Sequence, residues 1–79
     1  MIKFDKDDRW LLLMCLIRYS LGRRSYIVGT ATRIIEQNWE GLEKHEKKQV
    51  KREIEEYIRF AKDCDYITDR HWEKILEMK

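Results

Sequence analysis

The first apolar segment of the chain is an unbroken run of eight residues from Trp10 to Ile17. Asp7 or Asp8 can cap a helix at its start, and Gly22 stands where a left-handed C-terminal cap is usual. We therefore predict a first helix that ends at about Leu21. Surface helices carry one apolar stripe, whereas this helix is apolar on every side. Because so short a chain has few other helices to surround it, we expect a second copy to cover the remainder.

Three later segments show apolar residues three and four positions apart, the spacing of one buried helix face. Ser25 can cap the second helix, with Thr30 as an alternative cap, and Gly41 ends this helix or begins a loop. Thr68 or Asp69 can cap a short last helix. The apolar positions of the second helix are Ile27, Ala31, Ile34, Ile35 and Trp39; those of the third, over about 43–62, are Val50, Ile54, Tyr57, Ile58 and Ala61; those of the last are Trp72, Ile75 and Leu76.

The composition also favours helices. The chain has no proline and three glycines, with 41% charged and 43% hydrophobic residues, which is typical of a folded helical protein. At 79 residues it is expected to form a single domain over residues 1–79. Its core is thin, because folding of so short a chain buries only about 60–65% of the surface that the unfolded chain exposes. We predict an all-α fold, a small three- to four-helix bundle that is oligomeric through its first helix.

Charge and cysteine content indicate where the protein acts. A formal net charge of +2 is too balanced for wholesale binding to nucleic acid or to a membrane. The first apolar run is less than half of the ~20 residues needed to cross a bilayer. It follows acidic residues where a signal peptide carries positive charge, so we expect a cytoplasmic protein. Cys15 and Cys64 form no paired motif, and Cys15, inside the apolar run, is expected to be reduced and buried.

Enzymatic and metal-binding motifs are weak in this sequence. His45 and His71 have no metal-ligand spacing between them, and the separation of Cys64 from His71 matches no common zinc site. The sequence contains no nucleophile elbow, phosphate-binding loop or pair of catalytic carboxylates. We therefore expect no catalytic residue, no metal and no cofactor.

The segment from Arg18 to Tyr26 combines three arginines, two tyrosines, two serines and a glycine between two apolar segments. A turn between helices needs a glycine and a cap, but not three guanidinium groups and two phenols. A helix that begins near Ser25 directs unpaired N–H groups toward the arginines, and arginine forks bind phosphate oxygens. A tyrosine ring can stack on a base. This pattern predicts a site for a phosphate-containing nucleotide, with the ligand-binding residues Arg18, Tyr19, Arg23, Arg24, Ser25, Tyr26 and Thr30.

A purely structural interpretation of this segment stands beside the functional one. Arg18 can complement the dipole of the first helix or pair with Asp65 or Glu36, and the two tyrosines can be half-buried packing residues. Three arginines beside one helix start repel one another, however, unless they share a counter-charge. We therefore favour a bound anion for the group as a whole.

Three pieces of the sequence resemble a family of small proteins from bacteriophages and prophages. They are the motif Arg-Tyr-Ser-Leu-Gly-Arg-Arg-Ser-Tyr at 18–26 with its apolar flanks, the run Arg-Glu-Ile-Glu at 52–55, and Cys64-Asp65 with Trp72. The resemblance covers the chain from about Asp8 to Leu76. It implies a phage origin and a small size class rather than an activity. Small phage accessory proteins commonly disarm a host defence, either by binding a defence protein or by sequestering its nucleotide messenger.

Three hypotheses for the function follow. The first is an anti-defence protein that sequesters a phosphate-containing nucleotide, linear or cyclic, without turnover, since a small basic and aromatic pocket suits such a ligand. The second is an inhibitor or adaptor, resembling an anti-CRISPR protein, whose arginine-rich corner docks on an acidic host defence protein. The third is a helix-turn-helix regulator with Gly22 in the turn. Few side chains of its second helix would read bases, namely Arg24, Thr30, Thr32, Arg33 and Gln37.

Overall fold

The computed structural model describes residues 6–66 and 68–79, and the regular elements of these ranges are all helices. They are α1 (Lys6–Ser20), α2 (Ser25–Asn38), a short 3-10 turn (Trp39–Gly41), α3 (Lys44–Asp63) and α4 (Arg70–Leu76). The all-α prediction with four helices is confirmed. Helices α1 and α2 pack on each other, α3 contacts α1 and α4, and α4 lies on α2.

Helix α1 buries only one of its sides. Its buried apolar residues are Leu13, Met14 and Ile17. On the other side Leu11 is 63% exposed and Leu12 is 50% exposed, as expected for a helix that is apolar all round. Cys15 is also exposed, so the prediction that it is buried is wrong. Successive residues of a helix point about 100° apart, and Cys15 follows the buried Met14 onto the outer side.

The turn between α1 and α2 is built around Gly22, whose φ of +76° is the left-handed conformation predicted for it. The predicted N-cap of α2 is wrong by one residue, because Arg24 occupies the cap position and Ser25 is already helical. The backbone N–H groups of Ile27 and Val28 both donate to the carbonyl of Arg24. Thr30 is no cap either, since it lies within the helix and donates to the carbonyl of Tyr26 at 3.0 Å.

Helices α3 and α4 begin at side-chain caps. Glu43 and Glu46 form a reciprocal capping box at the start of α3, and Asp69 caps α4 as predicted. The buried faces also agree with the sequence pattern, since Val50, Ile54 and Ala61 of α3 are buried. Around them lies a core of large side chains from α1, α2, the 3-10 turn and α4: Ile17, Val28, Ile35, Trp39, Trp72 and Ile75.

The molecule measures 42 × 26 × 16 Å along its principal axes. Its short dimension corresponds to about two layers of helices packed 8–10 Å apart. Such a thin body places any site on the surface or between helix ends. Among the helices of the described ranges, none has the length and apolar character that crossing a membrane requires.

Candidate functional site

A surface cleft of about 520 Å³ lies where the α1–α2 turn, α3 and the start of α4 meet. Its volume falls in the range of small-molecule sites, roughly 300–1,000 Å³. The floor includes the apolar side chains of Val28 and Trp72, and the walls are polar. The polar side chains on the walls are the basic Arg23, Arg70 and His71, the hydroxyl-bearing Ser25, Tyr57 and Thr68, and the carboxylate of Asp69. We call this the polar cleft.

Asp69 connects α4 to α2 within the polar cleft. Its Oδ1 accepts from the backbone N–H of His71 at 3.0 Å and lies 2.5 Å from Nδ1 of the same residue. The hydroxyl of Ser25 on α2 lies close to the same carboxylate. Burial raises the pKa of Asp69, but the hydrogen bonds from His71 and the nearby Ser25 hydroxyl outweigh burial and lower this pKa below its usual value. Asp69 is therefore ionised at neutral pH.

His71 lies between Asp69 and α2. While Nδ1 of its ring faces Asp69, Nε2 lies 3.6 Å from the position that a β-carbon would occupy on Gly29. The imidazole therefore lies against the backbone of α2, where an alanine at position 29 would be in ordinary contact with it. The contacts with Asp69 and α2 orient the ring on the cleft wall.

Arg23 makes two contacts with the last turn of α1. Its Nε donates to the carbonyl of Tyr19 at 3.0 Å, and its guanidinium lies over the Tyr19 ring, 4.6 Å from the centroid. These contacts give Arg23 a structural role, because they satisfy a helix-end carbonyl and provide a cation–π interaction. A guanidinium carries five N–H donors, so the terminal fork keeps four of them for other partners.

Of the predicted ligand-binding residues, Arg23 and Ser25 lie on the wall of the polar cleft. The others lie outside the wall formed by the described residues: Arg18, Tyr19, Arg24, Tyr26 and Thr30. Tyr19 and Tyr26 are 57% and 70% exposed, so neither is the half-buried packing residue of the structural interpretation. The structure therefore divides the predicted corner into residues that face the cleft and residues that face solvent.

Arg18 has a partner on another helix. Its guanidinium forms a salt bridge of 3.2 Å with Oε1 of Glu53 on α3. The same oxygen accepts from Nε2 of Gln49 at 3.1 Å. The structural interpretation of Arg18 as an ion-pair residue is supported, although the partner is Glu53 and not Asp65 or Glu36.

Several residues of the polar cleft are not predicted from the sequence. The apolar pattern assigns Tyr57 to the core face of α3 and Asp69 only to a helix cap, and it gives Arg70 and His71 no binding role. The run Asp-Arg-His at 69–71 is a dense group of ionisable residues. These residues line the cleft because α4 packs against α2, and a local sequence pattern does not reveal that packing.

A second, more apolar groove of about 790 Å³ runs along α1, α2 and the start of α3. We call it the apolar groove. Leu12, Leu13 and Leu16 of α1 line it, together with Ile34 of α2. Arg9 and Glu46 also line the groove and bring both signs of charge to its walls.

Within residues 6–66 and 68–79, no group of three or more His, Cys, Asp or Glu side chains is placed to hold a metal ion. Comparison of the chain with protein-family models, with curated proteins and with solved structures finds no match. The function must therefore be argued from the two surface sites.

Proposed function

We propose that this protein binds a phosphate-containing nucleotide in the polar cleft and retains it without turnover. The observation that carries the proposal is that Arg23 and Arg70, which are far apart in the sequence, line one cleft together with His71. Two guanidinium groups in one small cleft repel each other, and Asp69 supplies only one compensating negative charge. An anionic ligand would provide the remaining counter-charge.

The cleft walls suit a phosphate group in particular. Arginine forks bind phosphate oxygens through two parallel hydrogen bonds, and the hydroxyls of Ser25, Tyr57 and Thr68 offer further donors at the same wall. The ring of Tyr57, which lines the cleft and is partly exposed, offers a surface for a planar base or a sugar. A ligand that combines an anionic group with a partly apolar body fits both parts of the cleft.

Sequestration requires complementarity to the ligand and nothing more. A small protein made in quantity lowers the free concentration of a nucleotide by mass action, whatever chemistry the host uses the nucleotide for. Together with the resemblance to small phage proteins, this supports an anti-defence role in the cytoplasm of the host. The nucleotide, cyclic or linear, would be the messenger of the defence system.

We also propose that copies of the chain associate through α1. The exposed Leu11 and Leu12 would otherwise present large apolar side chains to water beside the apolar groove. A two-fold interface uses the same patch on both copies, so the exposed leucines of one copy can pack against those of the other. Association would bury the outer side of α1.

The same apolar surface supports a second candidate function, inhibition of a host protein. A specific protein interface commonly buries about 800 Å² per partner around a core of large apolar anchors. The exposed leucines of α1 are such anchors. In this candidate function the binding partner is a host protein that docks on α1, and the polar cleft has no role.

Native mass spectrometry of freshly purified protein tests these proposals in one measurement. We expect an oligomer that carries a small nucleotide, and we expect the Arg23→Ala variant to have lost the nucleotide while keeping the oligomer. The parent protein is then mixed with nucleoside diphosphates and cyclic dinucleotides. An oligomer that retains none of these ligands, but captures a defined host defence protein, would favour the second candidate.

A further inference from the structure

The polar cleft contains a carboxylate where a simple anion site would have none. Asp69 lies on the same wall as Arg70 and His71, and its side chain is 18% exposed. An ionised carboxylate repels the phosphate of a ligand, and the repulsion of like charges is strong near a protein surface. Asp69 already caps α4, and its negative charge in the cleft also affects which anions can bind there.

The hydrogen bonds that the Asp69 carboxylate accepts within the protein occupy only part of its acceptor capacity. A carboxylate offers about four lone-pair positions. The backbone N–H of His71 and Nδ1 of the same residue both lie on Oδ1 and use two of them. The carboxylate is thus oriented by His71 and keeps acceptor capacity for a further donor.

We propose that Asp69 is a specificity-determining residue of the polar cleft. Its carboxylate accepts a hydrogen bond from a hydroxyl or amino group of the ligand and disfavours phosphate ligands that carry no such donor group. The inference rests on the proposed nucleotide binding. It narrows the ligand class to a nucleoside phosphate, whose ribose hydroxyls or base amino group reach Asp69 while Arg23 and Arg70 bind the phosphate. Inorganic phosphates carry no ribose or base, so they bring only negative charge close to the Asp69 carboxylate.

The variant Asp69→Asn tests the role of the carboxylate. Asparagine is as good an N-cap as aspartate, so α4 keeps its cap while the negative charge is lost. The matched control is Asp65→Asn, which removes the same charge from the loop before α4, outside the cleft wall. Asp65 has a φ of 58°, a conformation that asparagine tolerates well.

The probes are inorganic pyrophosphate and the four nucleoside diphosphates ADP, GDP, CDP and UDP, titrated calorimetrically. These probes share the diphosphate group and differ in whether they carry a nucleoside. We expect Asp69→Asn to bind pyrophosphate roughly threefold more tightly, because a like charge has been removed. It should bind the preferred nucleoside diphosphate roughly threefold or more weakly, because the acceptor for its donor group has been lost. The Asp65→Asn control should leave both affinities within twofold of the parent.

Opposite shifts for the two probes, in a variant that is still fully folded at the temperature of the titration, support the inference. If the parent binds a nucleoside diphosphate and Asp69→Asn shifts both probes in the same direction or neither, this inference is overturned and the proposed function stands. If the parent binds pyrophosphate more tightly than every nucleoside diphosphate, the inference is also overturned. If the parent binds neither these probes nor a cyclic dinucleotide, the proposed function falls and the inference falls with it.

Discussion

The hydroxyl of Tyr57 lies 3.1 Å from the position that a β-carbon would occupy on Gly22. This contact closes the α1–α2 turn against α3 and forms part of the polar cleft, since both residues line it. The turn that presents Arg23 is therefore positioned by long-range packing as well as by its own backbone geometry.

Substitution of Gly22 is expected to destabilise the protein. Gly22→Ala places a β-carbon in a left-handed conformation, which costs about 1–2 kcal/mol, and it also crowds Tyr57. The matched control is Gly41→Ala, because none of the described atoms lies within 4 Å of the position that its β-carbon would occupy and its φ is not left-handed. Thermal unfolding of both variants should show a clear loss of stability for the first alone. Equal melting temperatures would contradict the account of this turn.

Acid should weaken the link between α4 and α2. The pKa of Asp69 is lowered in the folded protein, so its stabilising contribution is complete above the ordinary value of 3.8 and is lost as the pH falls through the folded pKa. The melting temperatures of the parent and of Asp69→Asn should therefore differ most at neutral pH and converge well below pH 3.8. A difference that stays constant across this range would show that the carboxylate charge contributes nothing to stability.

Association through α1 predicts the effect of a charge placed on its outer side. Leu12→Arg should shift the protein toward the 9.8 kDa monomer in sedimentation at micromolar concentration, because a guanidinium cannot be buried unpaired between two copies. Phe60→Arg is the control, since Phe60 is 57% exposed and lies on α3. A parent protein that sediments as a monomer would remove the proposed oligomer.

The reactivity of the two exposed thiols tests the same interface without any mutation. Cys15 and Cys64 are both exposed in one copy of the chain, and only Cys15 lies on α1. If copies associate through α1, an aromatic disulfide reagent should modify Cys64 rapidly and Cys15 slowly at high protein concentration. Dilution should equalise the two rates. Rapid labelling of both thiols at every concentration would place the interface elsewhere.

The sequence predicts most of the fold because the deciding features are local. The period of apolar residues in α3, the cap at Asp69 and the glycine at position 22 each follow from a rule about a single turn or helix face. The predicted N-cap of α2 is one residue late, since Ser25 has the side chain of a cap but lies within the helix with its hydroxyl near Asp69 of the α4 cap. Tertiary contact overrides the local preference.

The candidate site is only partly predictable for the same reason. Arg23 and Ser25 belong to a dense local motif, whereas Arg70 and His71 reach the cleft through the packing of α4, about 45 residues further along the chain. Arg18, in the same motif, is drawn to Glu53 on the other side of the turn. Whether a residue of the motif faces the cleft or solvent depends on the direction of each helix at its end, which the composition of the motif does not determine.

The central claim is that Arg23 and Arg70 bind a nucleotide phosphate together, and calorimetric titration of three variants tests it most directly. Arg23→Ala and Arg70→Ala should each weaken binding of the best nucleoside diphosphate or cyclic dinucleotide about tenfold or more, because each removes charge-assisted hydrogen bonds. Arg24→Ala, which replaces another exposed arginine outside the cleft wall, should stay within twofold of the parent, and all three should melt within a few degrees of it. A parent protein that binds no nucleotide, or an Arg24→Ala variant that loses as much affinity as the other two, would contradict the account.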